Sequence, residues 1–574
     1  MRDYANYDGL GLAELVRNRD VTPGELLDAA IERTERHNPK LNAVVYKAYD
    51  EARAVTTSTL PDGPFKGVPF LIKDLGVRVK GWPRTSASRF AQVAADDGDS
   101  ELMKRYRASG VVAFGKTNTP EFGIPGVTNS ALLGPCGNPW NPEHIAGGSS
   151  GGAASAVAAG IAPLAHASDG LGSIRIPAAC CGLVGMKTTR DRNPNGQHDT
   201  DRAIGLSVDH VVSRTVRDSA AMLDATGYPE AASPFAYPQK ERPYLEEIER
   251  APGKLRIAFS SETPNGKPIE PEMRAALERT AETLKQLGHD VREEGLEIDY
   301  RLLYRAQGMV SAANFSATIR RLTEIKGREP GEDDLEGLAR RGYEAGKKLT
   351  AQDAGWAWQQ VRLMNRQILS KFEVWDVWLT PVLCTNVPRL DYLNPLMDDL
   401  KEFDRRQATT FGFTPPFNLT GQPSLSLPLH QSESNLPIGM MFTGRYGDEA
   451  TLFRLAGHPR VRRRDTGHIR QVWQEGRSER CDMEPERSAW ERVSRGTRES
   501  GDALIESVGV KPGLKGSTWL RPPALPRGSC DAASRASWGG RGNGPRGPAK
   551  NGAGDKPGGV RDGNRPWRSD ASVC

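Results

Sequence analysis

The chain has 574 residues, of which 37% are hydrophobic and 7% aromatic, enough for one large core or two or three ordinary domains and in keeping with a soluble globular enzyme. Its 77 Lys and Arg against 72 Asp and Glu leave a formal net charge of +5, too small a surplus to imply a nucleic-acid or acidic-membrane partner. Seven cysteines with no C-x-x-C pair and no nearby histidine at ligand spacing argue against a zinc site or a disulfide framework, so reduced thiols and a cytoplasmic location are expected.

The start, MRDYANYDGLGLAEL, has no basic segment leading into an apolar stretch, so no secretory signal is expected. Thr22-Pro23-Gly24-Glu25 is a capping box with proline at the first helical position, and Leu26, Leu27, Ala30 and Ile31 continue an amphipathic helix ending near Asn38-Pro39. Val68 to Ile72 reads as a short strand ending at Lys73; Glu101 to Ser109 reads as a helix leading through Gly110 into a strand from Val111 to Phe114. A small-residue helix is expected over Gly152–Ala159 and a strand over Ile161–Ala167. Pro163, His166 and Asp169 interrupt this alanine-rich run before it could cross a bilayer. Lys254–Ser260 reads as a strand, and Glu270–Leu287 and Ala354–Phe372 as helices. The alternation predicts an α/β fold whose sheet is covered by helices on both faces.

After Ala456 the character changes. The remainder is rich in Arg, Gly, Pro and Ser without sustained period, so residues 1–456 are expected to fold and residues 457–574 to form a disordered tail. Arg462-Arg463-Arg464 could mark a nucleic-acid arm, but interleaved Asp and Glu dilute its field. The tail keeps scattered tryptophans (Trp473, Trp490, Trp519, Trp538, Trp567), which disordered segments tend to lack. Such a mixture is what a GC-rich gene encodes in a shifted frame, and the tail from about Gly457 is read as out-of-frame translation that truncates a closing helix.

Two serine-bearing segments carry candidate chemistry. Gly147-Gly148-Ser149-Ser150-Gly151 satisfies G-x-S-x-G, the nucleophile elbow of α/β-hydrolases, and admits a serine esterase using Ser149 with a histidine. An elbow must leave a β-strand, however, and the preceding Cys136 to Pro142 are turn formers with two prolines. The other segment, Asp169 to Pro177, follows a strand, where α/β folds place their chemistry. Its small residues can aim several N–H groups at one point as an oxyanion site, which makes Ser173 the natural nucleophile. A serine needs a base. His166 reads as a core histidine and His144 lies in the proline-rich turn, whereas Lys73 ends a buried strand where desolvation can keep an amine neutral. A snorkelling surface lysine is the ordinary alternative there.

GVPFLIKD around Lys73, GKTNTPEFG from Gly115, GGSSGG, and the D-x-x-G-S-I-R-I-P-A run ending in CGLVGMKTT resemble the amidase signature family, in order, over about residues 1–456. With YDGLGLAELV and YEAGKKLTAQD the pattern is similar to the bacterial branch that includes 6-aminohexanoate-cyclic-dimer hydrolases. The resemblance implies a Ser-cisSer-Lys triad with Ser173 as nucleophile, Ser149, 24 positions earlier, as relay, and Lys73 as base, with a cis Gly148–Ser149 peptide. It implies an oxyanion hole from the amides of Gly170, Leu171, Gly172 and Ser173, structural pairing of Asp169 with Arg175, and Asn118 and Thr119 lining the substrate pocket. Ser150 and His166 are expected to stand outside the mechanism. The implied reaction is hydrolysis of a small or medium carboxamide, linear or cyclic ω-amino-acid amides among them, through an acyl-enzyme, without metal, cofactor, nucleic acid or membrane, and compatible with a homodimer.

Two positions depart from the family pattern. Leu171 stands where glycine is usual, and K-P-T-x-G-R has become Lys187-Thr188-Thr189-Arg190-Asp191-Arg192. A side chain at Leu171 is expected to strain the oxyanion loop, so that Leu171→Gly raises kcat; a catalytically impaired amidase is the corresponding alternative. A subunit of a tRNA-dependent amidotransferase is another family member with these motifs.

Overall fold

The computed structural model describes residues 1–458 apart from 2, 93–94, 195–202, 204, 231–236 and 264. The readings of the tail as disordered, basic or frameshifted fall beyond residue 458 and lie outside the described residues.

Thr22 begins the helix Pro23–Leu41 as its pattern predicts: its hydroxyl accepts from the Glu25 amide at 3.2 Å, and the Glu25 carboxylate accepts from the Thr22 amide at 2.8 Å. Leu26, Leu27 and Ala30 are buried. The helix runs through Pro39 to Leu41, further than expected, and the Asn38 side chain ties its end to the strand that follows, accepting from the amides of Ala43 (2.8 Å) and Val44 (2.7 Å).

Eleven strands follow among the described residues, β1 Val44–Lys47, β2 Pro69–Lys73, β3 Val112–Thr117, β4 Leu164–Asp169, β5 Val184–Lys187, β6 Val208–Ser213, β7 Arg256–Phe259, β8 Asp290–Glu293, β9 Val377–Pro381, β10 Ser424–Gln431 and β11 Pro437–Gly444. They form one sheet in the order β1-β3-β2-β4-β6-β5-β10-β11-β9-β7-β8. The runs β3-β2-β4 and β9-β7-β8 are parallel and the other pairings antiparallel, so the sheet is large and mixed. β2, β3 and β4 are buried along their whole length, as strands covered on both faces must be. β4 begins at Leu164 rather than Ile161, just past Pro163, which has no N–H to give a ladder.

The small-residue helix, Gly151–Ala158, is buried at all eight positions. Glycine is obligatory at 152, where a Cβ would meet the Asn118 backbone nitrogen at 2.3 Å. The last described helix, Glu449–Gly457, is locked to the sheet by a fully buried pair, Arg192 Nη2 to Glu449 Oε2 at 2.8 Å, and by the Thr189 amide, which donates to Glu449 at 2.8 Å. The altered K-T-T-R-D-R stretch thus supplies two anchors of this helix. No helix among the described residues is long and apolar enough to cross a membrane.

The GKTNTPEFG motif is clasped by the helix Gly337–Lys348. Glu121 accepts from the Ser88 hydroxyl (2.6 Å) and from the amide of Glu336 (2.9 Å), whose own carboxylate accepts from the Ala131 amide (2.7 Å). Burial lifts the Glu121 carboxyl to about 7 against these hydrogen bonds. Burial, then the neighbouring Glu121 charge, lifts Glu336 to about 8. Both groups hold a proton more tightly folded than unfolded, so their contribution to stability is complete below about pH 4 and is lost as pH rises through 7 and 8. Glu336→Gln is therefore expected to raise Tm at pH 9 and to change it little at pH 5; equal shifts at both would show that the two carboxyls do not titrate in this way.

Candidate active site

β2 and β4 are parallel neighbours, and their carboxyl ends carry Lys73 and Asp169, at the edge where open α/β sheets bind ligands. Lys73 is fully buried. Its Nζ lies 2.7 Å from Ser149 Oγ, 3.0 Å from Ser150 Oγ and 3.0 Å from Ser168 Oγ. The proton count separates the two neighbouring serines. Ser150 Oγ donates to the Ser168 carbonyl (3.1 Å) and accepts from the Ser168 amide (3.2 Å), so towards Lys73 it can only accept. Ser149, at 2.7 Å, is the nearest hydroxyl still able to give the amine a proton.

The loop bearing Ser149 is held from several sides. Gly147 takes a φ of 73°, the Gly148–Ser149 peptide is cis, and a Cβ on Gly148 would strike the Val127 backbone nitrogen at 2.5 Å. Thr119 donates its hydroxyl to the Ser149 carbonyl (2.9 Å), Gly151 donates to the Thr128 hydroxyl (3.0 Å), and the Ser150 amide donates to the Ser173 carbonyl (3.3 Å). This last bond joins the two serine-bearing segments.

Ser173, partly exposed, stands on the loop after β4, and Asp169 organises that loop. Its carboxylate accepts from the Gly172 amide (2.6 Å), the Ile174 amide (3.2 Å), Arg175 Nε (2.9 Å) and Nη2 (3.0 Å), and Asn418 Nδ2 (2.8 Å). Burial alone would raise its pKa, but the Arg175 guanidinium overcomes this and holds the carboxyl well below the usual carboxylate range. Asp169 and Arg175 form the structural pair expected of them.

Three expectations change here. The Gly172 amide is committed to Asp169 and is not available to an oxyanion. The amides of Gly170, Leu171 and Ser173 have no backbone or side-chain acceptor among the described residues, and a Cβ on Gly170 would meet nothing within 4 Å, so the open side of the loop lies there. Leu171 is not strained: the left-handed position is Gly172, at φ 134°, where a Cβ would meet Thr414 Oγ1 at 2.4 Å. The Leu171 carbonyl instead accepts from Thr414 Oγ1 at 2.7 Å. With no strain to relieve, Leu171→Gly is expected to leave kcat unchanged or lower it by loosening the loop; a rise in kcat would restore the impaired-enzyme reading.

The structure does not bring Asn118 to this group. It is fully buried, with its amide nitrogen donating to the carbonyls of Asn42 (2.9 Å) and Gly134 (3.3 Å). Thr119 supports the Ser149 backbone. Ser150 and His166, expected outside the mechanism, both adjoin the lysine: Ser150 touches Lys73 Nζ, and the His166 ring accepts from the Lys73 amide at 3.2 Å. No strand leads into Ser149, since the segment before it forms an isolated bridge between Gly137 and Ile145, which removes the elbow geometry. Ser168 was missed, the expected strand ending at Ala167; extending the strand's period-2 alternation by one residue, onto the His166 face of β4, is the signal that finds it. Asn418 and Thr414 had no sequence signal, lying more than two hundred residues from the loop they hold.

Residues 25–453 match the Amidase family model. The chain is 34% identical over 463 residues to 6-aminohexanoate-cyclic-dimer hydrolase of Paenarthrobacter ureafaciens, covering 78% of this chain and 93% of the relative. It is 36% identical over 463 residues to the putative amidase AmiC of Mycobacterium leprae, with the same coverage of both. The solved structure of 6-aminohexanoate cyclic dimer hydrolase complexed with substrate superposes with a TM-score of 0.75 at 33% identity, over 82% of this chain and 98% of that one. The ordered motifs, the mixed sheet and these relatives together establish that the chain belongs to the amidase signature family and is an amide hydrolase.

Proposed function

We propose that the protein hydrolyses small or medium carboxamides, linear or cyclic ω-amino-acid amides among them, through an acyl-enzyme on Ser173. The observation that carries this reading is the buried 2.7 Å contact between Lys73 Nζ and Ser149 Oγ, on a segment whose next amide, that of Ser150, donates to the Ser173 carbonyl. Neutral Lys73 takes a proton from Ser149, Ser149 takes one from Ser173, and Ser173 Oγ attacks the amide carbon. The developing oxyanion is met by amides of the Gly170–Ser173 loop other than that of Gly172. Ser149 gives its proton to the departing amine and regains one from Lys73, which is again neutral; water then cleaves the ester by the same relay. The substrate class is suggested by relatives that act on a cyclic 6-aminohexanoate dimer. A fluorophosphonate probe followed by mapping of the labelled peptide is expected to mark Ser173; labelling of Ser149 would reverse the assignment.

A further inference from the structure

β2 and β4 register only Leu71 against Ala165, and two residues further along β2 the Lys73 amide is met by a side chain. The Lys73 N–H donates to His166 Nδ1 at 3.2 Å, and His166 Nε2 lies 3.0 Å from Asp209 Oδ1. An Nδ1 that accepts carries no proton, so the ring proton is on Nε2 and is donated to Asp209. His166 and Asp209 are both buried, at 0% and 3% exposure. The groups facing the ring are Lys73 from β2, Asp209 from β6, and Tyr106 from the helix Glu101–Ala108, whose ring centroid is 5.9 Å away; His210, next along β6, is turned to Ser219 at 3.1 Å.

We propose that His166 and Asp209 are a positioning pair for Lys73: Asp209 fixes the imidazole tautomer, and the imidazole fixes the backbone from which the lysine reaches Ser149. Neither touches substrate. The inference rests on the reading of Lys73 as the base, so Lys73→Ala is measured alongside to tell the two failures apart.

The test is the rate of fluorophosphonate labelling in the full-length protein, resolved into maximal rate and half-saturating concentration. His166→Ala is expected to lower the maximal rate about 10- to 100-fold with little change in half-saturation, because a displaced base slows chemistry and spares binding. His166→Asn, whose side-chain oxygen can occupy the Nδ1 position and accept from Lys73, is expected to recover most of the rate while still lowering Tm through the lost contact with Asp209. Asp209→Asn can donate to Nε2 and so allow the proton onto Nδ1, facing the Lys73 N–H; its maximal rate is expected to fall while its fold persists. Normal rates in His166→Ala and Asp209→Asn beside a crippled Lys73→Ala would overturn the pairing, and a fast Lys73→Ala would overturn its basis. Should the alanine variant not fold, ring ¹⁵N spectra of the wild-type protein decide: a proton on Nδ1 of His166 at neutral pH overturns the proposal.

Discussion

Ser173→Ala is expected to abolish amide hydrolysis and fluorophosphonate labelling together, whereas Ser149→Ala and Lys73→Ala should lower kcat by about 10²- to 10⁴-fold, the loss typical of a positioned proton transfer. The order follows from what each side chain supplies. Ser173 provides the bond-forming oxygen, for which the loop holds no substitute. Ser149 and Lys73 move a proton over a contact of 2.7 Å, and water can replace part of that path. Ser150→Ala should cost less, about five- to tenfold, because it removes one neutral hydrogen bond from Lys73, worth about 1 kcal/mol, and leaves the proton path standing. Steady-state kinetics on one amide substrate separates these ranks. Equal losses in Ser149→Ala and Ser150→Ala would mean that the Lys73 lone pair does not single out Ser149.

The residues proposed to bear the chemistry were legible because each sits at a place where local physics leaves a mark. Lys73 ends an apolar strand, Ser149 stands among glycines that only a crowded backbone requires, and Ser173 follows the strand that ends in Asp169. The capping box at Thr22 fixed one helix start to the residue. The supporting contacts were harder, since a hydrogen bond between β4 and β6 or between the loop and Asn418 depends on how distant segments meet. His166 shows the limit: its apolar surroundings correctly mark it as a core histidine, yet its acceptor nitrogen is spent on the backbone of the lysine, which strand periodicity does not encode. At Leu171 the error was one of register along the loop. The conformation that needs glycine falls one residue later, at Gly172, so a family-level expectation about a glycine was applied to a position whose backbone any residue can adopt.

Asp169→Asn is expected to destabilise the fold by about 3–5 kcal/mol, the usual cost of stranding a buried charge. Arg175, fully buried, would keep contacts to the Thr414 carbonyl (3.1 Å) and to Asn418 Oδ1 (2.5 Å) but no counter-charge at its Nε. The same substitution takes the acceptor from the Ile174 amide as well, which shares that oxygen with Arg175 Nε, and slackens the loop that carries Ser173, so the activity of whatever remains folded should fall as well. The pH dependence identifies the cause. Because the folded carboxyl lies below its unfolded value, its stabilisation is present above about pH 4 and is lost as pH falls from there towards the folded value. The gap between wild-type and Asp169→Asn urea midpoints should therefore be widest at neutral pH and narrow below pH 4. A gap that stays constant between pH 7 and pH 3 would assign the loss to packing, because an ion pair that explains the stability difference must fade when its carboxylate takes a proton.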